Sequence, residues 1–147
     1  MGWVEDRFAS QTALNQGVPK LWNAIRDCFG KAVLEYNSHV VGTGQELTQS
    51  DCTSNGRWCK RLEKRTGSSS LEVYLDISVS SLKMFRQPEN IMKVICIYRL
   101  AKDGSLELFF RALEGDVVRT PEEACRMAME EFLFDPFPLP YSISPQL

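Results

Sequence analysis

The spacing of hydrophobic residues along this chain changes from helical to alternating and back to helical. Leu21, Ile25, Cys28, Ala32 and Tyr36 recur at intervals of four, three, four and four, which predicts a helix from about residue 19 to 36 with Pro19 in its first turn. Trp22, Phe29 and Val33 add a second stripe. A face that wide exceeds one flat contact, so the helix is expected to pack against a sheet on one side and something else on the other. Residues 3 to 16 are mixed in character and end at Gly17, which reads as a separate short or frayed helix.

After Asn37 the helical period is lost. His39 to Thr43 reads as a short strand, and residues 44 to 56, with Gly44, Ser50, Asp51, Ser54 and Asn55-Gly56, read as a loop. From Trp58 an alternating pattern sets Trp58 and Leu62 on one face and Arg57, Arg61 and Arg65 on the other. Lys60 and Lys64 fall on the apolar side, as inward charges do on an edge strand. Leu71, Val73, Leu75, Ile77 and Val79 alternate strictly with Glu72, Tyr74, Asp76 and Ser78, a strand with one core face. If residues 58 to 66 and 71 to 79 form a hairpin, opposite positions must sum to an odd number to place the apolar residues together. Residues 80 to 93 fit either a continued strand or a short helix opening at Pro88.

A second hairpin is predicted over residues 94 to 113. Closing Ala101 on Ser105 leaves the loop Lys102-Asp103-Gly104, with Gly104 in the left-handed position of a bulged turn. Leu100 then faces Leu106, Tyr98 faces Leu108, Cys96 faces Phe110 and Val94 faces Ala112. Thr120-Pro121-Glu122-Glu123 is a capping box with proline at the first helical position, so a final helix begins there. Cys125, Ala128, Met129 and Phe132 form its apolar stripe, and Ala124 permits close approach to the sheet. Pro136, Pro138 and Pro140 prevent its continuation. The sum is an α+β fold with an N-terminal helix, an antiparallel β-sheet of about five to six strands and a C-terminal helix packed on the sheet. Residues 1–135 would form a single domain, and 136–147 a Pro-rich extended tail.

Composition narrows the setting. The 147 residues are 44% hydrophobic and 24% charged, ordinary globular values, and the net charge is −2. Such a balance supplies no basic field to hold nucleic acid, which is therefore an unlikely partner. The apolar run Val94 to Tyr98 stops at Arg99, well short of the ~20 residues a bilayer requires. Glu5, Asp6 and Arg7 stand where a secretory signal would be apolar, so a cytoplasmic protein without membrane association is expected. The five cysteines, Cys28, Cys52, Cys59, Cys96 and Cys125, are odd in number and scattered, which predicts reduced thiols.

Few constellations carry chemistry. His39 is the single histidine, and any triad would have to be built on it. His39, Cys52 and Cys59 offer soft ligands, but their spacing lacks the short chelate of zinc fingers, so neither metal nor cofactor is expected. Gly42-Thr43-Gly44 begins a dinucleotide fingerprint that Leu47 breaks. Arg57, Trp58, Arg61 and Arg65 form a basic stripe that could contact a phosphate ligand. Pairing of its arginines with Glu72 and Asp76 across the hairpin accounts for the same residues. Phe137, Leu139 and Tyr141 of the tail, with Trp22 on the first helix, are the candidate interaction surface. They could cover this domain's own core or that of a second copy.

These residues favour a small non-catalytic binding or protein-interaction domain, acting through a sheet/helix pocket or a dimer surface. A small enzyme with dispersed site residues is the alternative. With a helix over residues 81 to 92, the order helix, three strands, helix, two strands, helix resembles the small acidic dimeric chaperones that hold type III secretion effectors. That resemblance implies an acidic homodimer binding an effector, and it depends on residues 81 to 92 not being a strand.

Overall fold

The computed structural model describes residues 2–52, 58–65 and 69–134. Helix α1 (Trp3–His39) leads into strands β1 (Leu47–Cys52), β2 (Trp58–Lys64), β3 (Ser70–Asp76), β4 (Ser81–Gln87), β5 (Ile91–Leu100), β6 (Leu106–Ala112) and β7 (Gly115–Arg119), and helix α2 (Pro121–Phe134) closes the fold. The expected α+β arrangement is present, with seven strands among the described residues rather than five or six. Every strand pairs antiparallel with its neighbour in sequence, so the sheet is a continuous meander from β1 to β7.

Helix α1 is one element of 37 residues, not a frayed segment followed by a second helix. Gly17 does not end it. A methyl group at Gly17 would stand 2.7 Å from Cγ of Leu106, so the glycine lets α1 lie against the start of β6. Pro19 is inside the helix, where it removes one backbone donor without ending the run. The strand predicted over His39 to Thr43 is absent: the helix takes in His39 and ends there, and a turn follows, with the Val40 N–H reaching the Asn37 carbonyl. The Asn37 side chain then donates to the Leu47 carbonyl at 3.0 Å and accepts from the Leu47 N–H at 2.8 Å. That pair of hydrogen bonds fixes where β1 starts, within a stretch whose sequence reads as loop.

Strand β2 is interior, between β1 and β3, and not the edge that its lysines suggested. Lys60 is buried opposite Val73, and burial lowers its pKa against the pull of Asp51. Lys64 lies 5.4 Å over the Phe132 ring. The β2–β3 register has the expected odd sums, with Trp58 opposite Leu75 and Leu62 opposite Leu71. A 3-10 turn over Ile77–Val79 ends β3 before its predicted limit. Residues 81 to 87 are strand, which removes the basis of the resemblance to secretion chaperones. The β4–β5 register shifts between Leu82 and Lys83, with Cys96 opposite Leu82 and Val94 opposite Lys83.

The β5–β6 turn matches its prediction. Gly104 has φ of +86°, Ala101 donates to the Ser105 carbonyl at 2.8 Å, and Leu100 pairs with Leu106 and Tyr98 with Leu108. The register holds as far as Ile97 opposite Phe109. The α2 capping box is also formed: Glu123 N–H donates to Thr120 Oγ1 at 3.1 Å, and Thr120 N–H donates to Glu123 Oε1 at 2.9 Å. The Thr120 backbone N–H first, and the Thr120 side chain after it, hold the Glu123 carboxyl below its ordinary pKa.

Both helices cover one face of the sheet. Leu62, Leu71, Val73, Leu82 and Leu108 meet Ile25, Phe29 and Val33 of α1 and Ala124, Ala128 and Phe132 of α2. The second stripe of α1 is not spare, because α1 touches β1, β5, β6 and α2. Trp22 is accordingly buried at 3% exposure and is a core residue, not part of an interaction surface. The opposite face carries cross-strand ion pairs, Arg61 with Glu72 and Lys83 with Asp76, each at 2.8 Å, and Arg99 with Glu107 and Asp116. Arg99 also lies 4.0 Å over the Phe109 ring, and beside these ion pairs the same face carries Tyr74 and Phe109, both buried, and Met92, Val94 and Val118, each more than half exposed.

Candidate functional site

Where α1 and α2 lie side by side, their apolar stripes do not fully close on each other. Cys28 of α1 is beside Glu122 of α2, and the rings of Tyr36 and Phe134 meet edge to face at 6.4 Å. The helices therefore run in the same direction. Between them is an open groove of about 680 Å³, a volume within the usual range for ligand sites.

The groove has an apolar floor and charged rims. Ala32, Tyr36, Met129 and Leu133 lie along its floor, all residues whose spacing marks the inner faces of the two helices. Lys31, Glu35 and His39 recur every fourth residue along the α1 rim, and Glu122, Arg126 and Glu130 do so along α2. Recurrence at four keeps each set on one flank of its helix. Arg126 and Glu130 pair at 3.4 Å. His39 is exposed at the C-terminal end of α1, on the rim and not in a triad.

Two thiols line the same groove. Cys125 is buried, and burial, then the neighbouring Cys28 and Glu122, push its pKa up to about 12. Cys28 is half-buried, and burial followed by Glu122 raises its pKa as well. Thiols held protonated are poor nucleophiles. The groove therefore offers contact area and rim charges more than covalent chemistry.

The basic stripe is dispersed. Arg61 points to the face opposite the helices, where Glu72 and Glu63 at 2.8 Å and 3.2 Å hold its guanidinium. Trp58 packs against the core on the helix-covered face, and Arg65 follows the end of β2. Arg57, like Phe137, Leu139 and Tyr141, lies outside the described residues. Arg61, Trp58 and Arg65 thus do not converge on one site.

Cys52 and Cys59, expected to be reduced, are opposite each other on β1 and β2 and form a disulfide on the face opposite the helices. The pairing of two strands brings these thiols together, and a count of cysteines carries no sign of it. Bonded to each other, they are not metal ligands with His39. Among the described residues no group of three or more His, Cys, Asp and Glu is placed to hold a metal ion.

No helix among the described residues is long and apolar enough to cross a membrane. Comparison with protein-family models, with curated proteins and with solved structures yields no match. Any functional reading rests on the groove itself.

Proposed function

We propose that this is a non-catalytic interaction domain that takes an apolar segment of a protein partner in the groove between α1 and α2. The groove carries the reading: an apolar floor about as long as three helical turns, with alternating charges along both rims to set the register of a bound segment. The protonated thiols support binding over nucleophilic chemistry. A reducing, cytoplasmic setting suits the free Cys28, Cys96 and Cys125, and it requires the Cys52–Cys59 bond to open there.

The test is selection of 12-residue peptides from a displayed random library on the full chain and on Ala32→Arg. Arginine at 32 would lay a long charged side chain across the floor. Peptides with spaced large apolar residues are expected from the native chain, with binding weakened at least tenfold by the substitution. Selected peptides that bind both proteins equally would place the binding surface elsewhere.

A further inference from the structure

Both walls of the groove are helices, and that restricts what can lie between them. Within α1 and α2 the backbone N–H and C=O groups are paired along each helix, so the walls offer an extended segment no free donors or acceptors. Its own backbone groups would go unpaired over the apolar floor, where an unmet donor or acceptor is costly. A helix satisfies its backbone internally and brings only side chains to the floor, the mode in which amphipathic helices enter apolar grooves.

The rim charges are ordered in tiers. With Cys28 beside Glu122 and Tyr36 against Phe134, Lys31 comes level with Arg126, and Glu35 with the turn that carries Glu130. The groove thus presents acidic charge at Glu122, basic charge at Lys31 and Arg126, and acidic charge again at Glu35 and Glu130. A step of four residues sets each tier about 6 Å from the next, at ~1.5 Å per residue. Arg126 and Glu130 pair along α2, but with side chains 75% and 63% exposed the pair is weak enough to exchange for a partner's charges.

We propose that the partner segment is an amphipathic helix whose apolar seam lies on the groove floor and whose flanks carry basic, acidic and basic residues at steps of four. The proposal rests on reading the groove as a peptide site and names the chemistry of its occupant. Steps of four on the incoming helix rise by the same ~6 Å as the tiers, so one register aligns all three. A slip by one turn sets like charges together, which selects against other registers and other partners.

The experiment measures binding of three fluorescent peptides, each of about 15 residues and so about 22 Å long as a helix, to the full chain by anisotropy at low salt. The first has a leucine seam at alternating steps of three and four, with flanks of lysine, glutamate and lysine at steps of four. The second keeps the seam and reverses every flank charge. The third is the first with a central proline facing away from the seam. The first is expected to bind about tenfold tighter than the second, a gap that narrows as salt is added, and the proline should weaken it about tenfold. Reversing the rim together, with Lys31→Glu, Glu35→Lys, Glu122→Lys, Arg126→Glu and Glu130→Lys, leaves the overall charge nearly unchanged and should invert the preference. If that variant melts far below the native chain, Arg126→Glu with Glu130→Arg is read in its place, and the preference should fall about threefold. Equal binding of the first and second peptides, equal binding of the first and third, or an unchanged preference in the folded variant overturns the proposal. Absence of binding by all three, beside library peptides that Ala32→Arg weakens, leaves the peptide site standing and removes the helix. If the library also yields nothing sensitive to Ala32→Arg, both readings fall.

Discussion

Removing the Glu131 carboxylate should cost more stability than any exposed ion pair in the molecule. Glu131 reaches from α2 to the sheet, with Oε2 at 3.1 Å from Arg86 and Oε1 at 2.6 Å from Lys93. The Arg86 side chain is only 9% exposed, and it also pairs with Glu89 at 2.7 Å, which is 41% exposed. Breaking a buried pair from one side costs about 3–5 kcal/mol, because the remaining charge is left uncompensated. Glu131 is about a quarter exposed and Arg86 keeps Glu89, so Glu131→Gln should cost about 2 kcal/mol. With a urea slope of about 2 kcal/mol/M, the unfolding midpoint should fall by about 1 M at unchanged slope. Arg86→Met combined with Glu131→Leu should recover much of the loss, since the charges it leaves without these partners, Lys93 and Glu89, are exposed to water. A single variant that loses under about 0.5 kcal/mol, the scale of a solvated pair, would show the cluster to be hydrated and the reasoning wrong.

Gly17→Ala should destabilise by about 1–2 kcal/mol, because the clash with Leu106 exceeds the ~1 kcal/mol that helix propensity favours alanine; a rise in thermal midpoint would refute the close approach. Titration of the unfolded, unreduced protein with a thiol reagent should count three free thiols rather than five, and closing a loop with a sequence separation of 7 should contribute about 2.5 kcal/mol by chain entropy. Glu123→Gln should lower the melting temperature at neutral pH. The folded pKa of Glu123 lies below the ordinary 4.5, so its contribution is present above 4.5 and lost as pH falls through the folded value. The melting curves of native protein and variant should therefore converge in acid, and a constant gap down to pH 2 would contradict the capping geometry.

What the sequence revealed divides along a physical line. Strand β3, the Gly104 turn and the Thr120 cap are legible because their signals are local: alternation, a left-handed glycine, and a box of four residues. Strands β1 and β7 escaped notice because Leu47 is the only fully buried residue of β1 and β7 has none. Their place in the sheet is secured by backbone hydrogen bonds, which leave no side-chain period. The register shift beside Lys83 leaves Ile95 as an extra residue that breaks the alternation of β5, while β4 alternates in burial but turns Arg86 to the core side and Phe85 away from it. Gly17 and Pro19 look like punctuation until Leu106 is seen against the helix. The floor of the groove was legible as two separate stripes, Cys28-Ala32-Tyr36 and Cys125-Met129. That the stripes face each other and stop short of closing is a property of two helices more than 80 residues apart, which no local pattern encodes.

The strict chain order of the sheet has a consequence for how the molecule assembles. Each strand finds its partner across the next turn, so pairing requires only short loop closures, and mostly local contacts favour rapid folding. Helix α1 is the exception. It must wait for β5, β6 and α2, all far along the chain, before its buried side chains find their seats. Until then the apolar face of a nearly complete meander is open to water and to other chains, which makes the docking of α1 the step at which productive folding and aggregation compete. During synthesis that helix emerges before every strand of the sheet and is satisfied after them.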